Sequence, residues 1–426
     1  MFRILIQLLL GWCFIGGVVS RGAWRSDDHL EWTADNKKTK THVFRDSIRH
    51  LSSRKDLVKG KRMPDNSFHQ VIFVIRQRNM DKLTSVLHDI SDPMSADYGK
   101  HWTREQVVKF TVNPTARDAV VSYLKKKGAI IMSETLGGEY ITANATIAVW
   151  EVMFNTTFYK FKQTHSNSPV TQMVRAEKYY IPKELDSFIE SVFRTVEAPV
   201  LLFKAPLLLF NTSSLIPGYN NSGITPYATI IPGVMTPAKI RAVYNMSSSV
   251  QGSTSSTQAA FGAAQQYFSP ADLLYFQQQY SQTIQPISAS VGNQVNDTIC
   301  KSSPYSCIEA NLDIQYLIST SPVSPTTYWY TNLFFADWLV SVARTVNPPL
   351  VLSISYGFNE QYTSSSELNA FNTQAIKLGT MGVTIVVATG DDGANSINTC
   401  GYSVSYPATS PYVTAVGATS VRNTSA

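Results

Sequence analysis

Apolar and polar positions fall into two regimes along the chain. From residue 66 to 210 short alternating runs predict strands at Val71–Ile75, near Ala129–Ser133 and Glu139–Ala143, and at Phe158–Lys162 and Ala176–Ile181. Helical spacing at Asp81–Ile90, Thr115–Lys127 and Thr146–Phe154 completes an α+β domain. From about residue 226 helices and strands alternate: a helix at Ser269–Tyr280, a helix at Ile308–Ile318, a strand at Thr327–Thr331, a helix at Phe334–Arg344 and a strand at Leu350–Ser355. Ser364-Ser365-Ser366-Glu367 reads as a capping box opening a helix to Leu378, and Val383–Ala388 is a β-branched strand. Strand, helix and strand at these lengths imply an α/β domain with a mostly parallel, doubly wound sheet. The polar, Pro- and Gly-bearing stretch 211–225 reads as a linker between the two, and 21–65 as a polar, poorly ordered leader.

Charge follows the same division. Residues 1–210 hold 30 of the 36 Lys and Arg against 21 acids, and residues 211–426 hold six against nine, a balance of +9 and −3. The basic first part lacks aromatic-basic interleaving, so nucleic acid is not an expected partner. Complementarity between a basic prosegment and an acidic second domain is the expected use of the charge. Residues 1–20 carry Arg3 and then an apolar run to about Val19, which reads as a cleavable signal peptide and is too short for a membrane span; no later segment is expected to span. Sequons at Asn144, Asn155, Asn211, Asn220, Asn245, Asn296 and Asn423 fit passage through the secretory pathway. Cys300 and Cys307 are spaced to close a small disulfide loop, Cys13 leaves with the signal, and Cys400 is left over.

The candidate chemistry is acidic. Glu309 and Asp313 stand four apart, so a helix stacks them on one face, and no basic residue occurs from Ser302 to Ala343. With Ile308, Leu312 and Leu317 as an apolar stripe beside them, the pair is expected to be half-buried, with at least one carboxyl pKa raised. The Val383–Ala388 strand empties into Gly390-Asp391-Asp392, the kind of strand C-terminus beyond which α/β sheets bind ligands. His50, His88 and His101 have no metal-ligand spacing, and no metal ligands are expected in this chain.

Five ordered blocks resemble the sedolisin, or serine-carboxyl peptidase, family, and among its members the lysosomal tripeptidyl peptidases. They are His69–Gln77 with Ser91-Asp92-Pro93 and Tyr98-Gly99-Lys100; Thr236–Arg241 with Tyr244-Asn245; Glu309-Ala310-Asn311-Leu312-Asp313; Ser353–Gly357; and Gly390-Asp391 followed by Tyr406–Val413. The resemblance implies a ferredoxin-like activation prodomain over 66–210 and the N-terminal part of a subtilisin-like peptidase domain over 226–426. Glu309 would be general base to a serine nucleophile, Asp313 its supporting carboxylate, and Asp391, protonated, an oxyanion donor. Ser355, Tyr356 and Gly357 would pair with an extended peptide substrate. Phe358 stands where the lysosomal relatives have an acidic residue. The family's Ser-Gly-Thr-Ser nucleophile segment has no counterpart in the chain, and Ser420 is expected to be structural. Calcium is implied for the complete enzyme, with ligands in a C-terminal part, and Cys400 would bond a cysteine there. The resemblance thus implies an acid-activated proenzyme of the lysosome, a similar acidic compartment or the extracellular space, acting on peptides and inhibited by its own prodomain, which also aids folding. A catalytically inactive peptide-binding or inhibitory glycoprotein is the alternative.

Overall fold

The structure, a computed structural model, describes residues 41–48, 56–165, 168–198, 235–247, 251–331, 334–391 and 404–418. The signal, the linker 211–225, Asp392, Cys400, Ser420 and the sequons at Asn211, Asn220 and Asn423 lie outside them.

The first domain begins inside the stretch expected to be a poorly ordered leader. His42–Ser47 (β1) and Leu57–Arg62 (β2) are strands, the first pairing antiparallel with Lys178–Pro182 and the second with Phe158–His165. Both partners lie far downstream, from 97 positions (Arg62 to Tyr159) to 140 (His42 to Pro182), so the local polar sequence concealed the pairing. Phe68–Ile75 (β3) then leads through helices Met80–Ser91 (α1), Arg104–Thr111 (α2) and Pro114–Lys126 (α3) to Ile130–Glu134 (β4) and Tyr140–Thr146 (β5). Ile147–Phe154 (α4) follows, then β6 (Phe158–His165), β7 (Ser168–Ala176), β8 (Lys178–Pro182) and β9 (Ile189–Phe193). The four strands β4, β5, β3 and β9 form one antiparallel sheet in that order, with β-α-β-β-α-β connectivity. Val71, Phe73 and Ile75 point from β3 into a core with Trp150, Phe154 and Tyr179, under α3 and α4.

The opposite face of that sheet is buried as well. Val74, Tyr140 and Phe193 join the core of the second domain, so the prodomain sheet is a layer sandwiched between two sets of helices.

The second domain runs Pro237–Val243 (α5), Gln258–Gly262 (β10), Pro270–Gln279 (α6), Ala289–Val291 (β11), Asp297–Ser302 (α7), Ile308–Thr320 (α8) and Thr326–Tyr330 (β12). It continues with Phe335–Arg344 (α9), Val351–Ile354 (β13), Phe358–Asn359 (β14), Ser365–Thr380 (α10), Thr384–Ala388 (β15), Ser405–Tyr406 (β16) and Thr414–Val416 (β17). Six strands form a sheet of order β11-β12-β10-β13-β15-β17, every neighbouring pair parallel. Successive residues of β10 serve opposite faces: Ala259 and Phe261 pack with Trp338 of α9 and Phe371 of α10, while Ala260 packs with Leu273 of α6 and Ile314 of α8. Burial on both faces is why β10 is apolar from Ala259 to Phe261. The chain leaves β10 for α6 on one face and leaves β13 for α10 on the other. The crevice beyond the ends of these two adjacent strands is therefore a topological switch point.

Two local expectations change. Ser364 does cap α10, accepting from the Glu367 N–H at 3.1 Å, but the capping box is not reciprocal. The Glu367 carboxylate turns inward and accepts from Ala336 N–H (2.9 Å) and Tyr406 Oη (3.0 Å), because burial leaves those donors no water to use. The buried stripe of α8 is Ala310, Ile314 and Ile318, with Leu317 packed beside it, whereas Ile308 and Leu312 are exposed.

Candidate active site

Helix α8 begins without a side-chain cap of its own. Three outside groups fix its start. The Cys300–Cys307 disulfide ties its N-cap residue to α7, with Cα atoms 5.5 Å apart. Gln266, in the loop after β10, accepts from the Glu309 N–H at 3.1 Å and donates to the Tyr305 carbonyl at 3.3 Å. Asn311 accepts from Ser269 N–H (2.9 Å) and donates to Asp272 (2.8 Å), fastening the first turn to the start of α6. Gln266 was missed by sequence reasoning: a lone loop glutamine carries no periodic signal, and only its burial reveals the role.

With α8 held this way, Glu309 and Asp313 lie along the edge of its buried stripe, facing the crevice beside the end of β13. Ser355, the residue after β13, donates its hydroxyl to Asp313 Oδ1 at 2.7 Å. Burial pushes the Asp313 carboxyl well up, and the neighbouring Glu309 adds to the rise, while the Ser355 hydrogen bond opposes it. Glu309 is pushed up to about 7, first by burial and then by the charge of Asp391. Asp391 is exposed, in the bend that follows Gly390, whose φ of +95° suits glycine. Residues from α8, the end of β13 and the end of β15 are thus brought together at the crevice, and among the described residues no Lys, Arg or His acts on either α8 carboxyl.

Tyr356 is buried against Phe261, ring centroids 5.5 Å apart. Gly357 passes so close to the β16 strand that a Cβ there would lie 2.6 Å from Ser405 Oγ. Phe358 is buried between Phe335 and Tyr406 and pairs with Tyr406 across β14 and β16. Of the described sequons, Asn155 and Asn245 are exposed in left-handed turns, Asn144 is half-buried on β5, and Asn296 caps α7. Among the described residues no group of three or more His, Cys, Asp or Glu is placed to hold a metal ion, so calcium enters no step below. No helix among them is long and apolar enough to cross a membrane.

An ion pair joins the two domains. Lys377 on α10 donates to Glu139 at 3.0 Å and to Gln77 at 3.2 Å, both partners being prodomain residues. Its polarity is the reverse of the expected basic prosegment on an acidic partner. Asp337 on α9 is pushed up to about 6 by burial, and the charges of Arg194 and Arg175 of the prodomain oppose that rise, in the expected direction. Asp46 of β1 accepts from the N–H (3.1 Å) and hydroxyl (2.8 Å) of Ser366 in the first turn of α10.

Residues 55–198 match the family described as the Pro-kumamolisin activation domain. The chain is 28% identical over 375 residues to tripeptidyl-peptidase 1 of Homo sapiens and, at the same identity and length, to that of Pongo abelii. Each match covers 85% of this chain, which spans 63% of the length of these curated relatives. A solved Pseudomonas sedolisin, a serine-carboxyl proteinase complexed with pseudo-iodotyrostatin, is 19% identical, with a TM-score of 0.33 over 45% of this chain and 55% of its own. The first domain thus matches the Pro-kumamolisin activation domain, and the chain is similar over most of its length to tripeptidyl-peptidase 1.

Proposed function

We propose that the protein is the proenzyme of an acid-active serine-type peptidase that hydrolyses peptides as a tripeptidyl aminopeptidase, an endopeptidase or both. The peptidase domain is read as subtilisin-like. Glu309 is the general base, Asp313 the carboxylate that supports it, and Asp391 the donor to the developing oxyanion. The serine nucleophile is assigned to sequence corresponding to the part of the relatives that this chain does not span.

The observation that carries this reading is the convergence on one crevice of three carboxyl groups from two elements, with Asp391 raising the pKa of Glu309. Surface acids disperse or pair with cations; three acids held together against their mutual repulsion mark a functional site. Burial and the charge of Asp391 hold the Glu309 proton up to about pH 7. A serine hydroxyl donating to it would bring that value down towards the acid range, where a carboxylate base still accepts a proton and an imidazole would already be charged. The backbone of Ser355 to Gly357, the residues just after β13, is read as the stretch that pairs with an extended peptide. Secretory passage with seven sequons, a prodomain that serves as inhibitor and folding aid, calcium in the complete enzyme, and a lysosomal or other acidic destination complete the proposal.

The test is the pH–rate profile of Asp391→Asn and Asp391→Ala in protein expressed from the complete coding sequence. Asn donates a hydrogen bond at any pH and Ala does not, so Ala should lose the ~10²–10³-fold typical of one oxyanion donor while Asn keeps more activity. Equal losses in the two variants would remove Asp391 from the role.

A further inference from the structure

We infer that Gln266 is a positioning residue for the base: held by a strained turn at the end of β10, it fixes Glu309 through that residue's own backbone and so sets where the Glu309 carboxyl stands in the crevice. The inference rests on the proposed role of Glu309 as base. It concerns the place of that carboxyl and not its charge.

The turn comes first. β10 is a central strand, paired in parallel with β12 on one side and β13 on the other. Just after it Ala264 (φ +51°) and Gln265 (φ +59°) both adopt left-handed backbone, the only adjacent non-glycine pair to do so among the described residues. Side chains enter that region at a cost, and such residues cluster where a site needs a particular geometry. Two tyrosines of β12 hold the turn. Tyr330 Oη accepts from the Gln265 N–H at 3.2 Å, and Tyr328 donates its hydroxyl to the Gln266 carbonyl at 2.8 Å. The Gln266 N–H closes the turn on the Ala263 carbonyl at 3.0 Å.

From this turn the buried Gln266 side chain reaches α8. Its amide can sit only one way, because its two partners are of opposite kind: Oε1 accepts from the Glu309 N–H at 3.1 Å, and Nε2 donates to the Tyr305 carbonyl at 3.3 Å. The Tyr267 N–H donates to the Ser306 carbonyl at 2.7 Å, so the turn Pro304–Ser306 that leads into α8 is gripped at two adjacent carbonyls. Glu309 is the second residue of α8, a position whose N–H has no acceptor within a helix. The N-cap residue, Cys307, gives no side-chain cap, so Gln266 supplies from another element the acceptor that a Ser, Thr or Asp would have supplied. A general base acts only within hydrogen-bond reach of the proton it takes, and a misplacement of about 1 Å can cost ~10²-fold in rate. Losing Gln266 should therefore lower turnover without weakening the binding of peptide.

The experiment compares Gln266→Met, which keeps the volume without either hydrogen bond, and Gln266→Glu with wild type, in protein expressed from the complete coding sequence. In the proenzyme the Glu309 amide should exchange its hydrogen about tenfold faster or more in Gln266→Met, the worth of one lost hydrogen bond. In the acid-matured enzyme kcat and kcat/KM should fall together by ~10–10²-fold with KM little changed. Gln266→Glu is the rescue. A protonated carboxyl presents one acceptor and one O–H donor, as the amide does, so turnover relative to wild type should be recovered in acid and fall as the pH rises and the introduced carboxyl ionises. Should Gln266→Met fail to fold, that ratio against pH carries the test by itself. An unchanged Glu309 exchange rate, a raised KM at constant kcat, or a Gln266→Glu ratio flat with pH would each overturn the inference. An active wild type with an equally active Gln266→Met would overturn it and leave the peptidase reading intact, whereas a wild type that hydrolyses no peptide would sink the peptidase reading and the inference with it.

Discussion

Lys377→Met should be among the most damaging single substitutions outside the two cores. Lys377 and Glu139 are 3.0 Å apart with side chains only 6% and 13% exposed. Removing the lysine leaves Glu139 buried with Thr135 as its remaining side-chain donor, at 2.7 Å. Breaking one side of a buried pair costs about 3–5 kcal/mol, whereas replacing both sides by apolar groups is often near neutral. Glu139→Gln should cost less, because the amide oxygen can still accept from Lys377 and Gln77 remains. The double variant Lys377→Met/Glu139→Met should cost clearly less than the sum of the singles, by about 2 kcal/mol or more. Urea unfolding followed by tryptophan fluorescence would measure this at pH 7. The pH dependence gives a second check. Burial alone would raise the Glu139 pKa, but Lys377, Thr135 and a backbone N–H outweigh it and hold the value below its ordinary 4.5. A carboxyl depressed in the folded state contributes stability that is present above about pH 4.5 and is lost as the pH falls through the lowered value. The gap between wild type and Lys377→Met should therefore narrow below pH 4. A loss under about 0.5 kcal/mol at pH 7, independent of pH, would show that the pair does not hold prodomain to peptidase.

Other outcomes follow from the same structure. His69 is half-buried and donates from Nε2–H to the Arg194 carbonyl at 2.9 Å; desolvation pushes it down to about 4, opposed by that hydrogen bond and assisted by the charges of Arg175 and Arg194. Its unfolded value is higher, so stability is lost as the pH falls between about 6.5 and 4, by roughly 3 kcal/mol; His69→Gln should unfold with a flatter pH dependence in that window. Glu367 behaves oppositely, pushed up to about 8 by burial and by Asp337. Its contribution is present in acid and lost as the pH rises through 8, so Glu367→Gln should be near neutral at pH 5 and stabilising at pH 9 in urea titrations, since one amide oxygen can replace the Oε1 that accepts from both Ala336 and Tyr406. Replacing Cys300 and Cys307 by Ser opens a loop with a sequence separation of 7 and should cost about 2.5 kcal/mol of stability; no loss in calorimetry would mean that Gln266 and Asn311 alone fix the start of α8.

The sequence made the elements legible wherever a local pattern decided them. Val383–Ala388 reads as a strand, found at Thr384–Ala388 with Ile385 and Val387 buried but Thr384 and Ala388 exposed, so the expected burial on both faces is only partial; Glu309 and Asp313 share a helix face as their spacing requires. The helices α2, α5 and α7 were missed, and at α2 the signal was present: Thr103 and Gln106 form a reciprocal capping box at its start. What stayed hidden depends on distant partners. The strands β1 and β2 are polar and become strands through pairing with β8 and β6. Lys377 sits 238 positions from the carboxylate that makes its burial tolerable, and Ser355 sits 42 from Asp313. Nor could local sequence distinguish the exposed Ile308 and Leu312 from the buried Ala310 and Ile314, because that choice is made by where α8 meets β10 and β12.

The central claim is that Glu309 is a catalytic base, and its most direct test is the turnover of Glu309→Gln against wild type on an unblocked peptide at acidic pH, in protein expressed from the complete coding sequence and matured in acid. The substitution keeps the volume and removes the ability to accept a proton, so turnover should fall by the ~10²–10⁴-fold of a lost general base with binding little changed. Unchanged turnover in a folded Glu309→Gln would contradict the account.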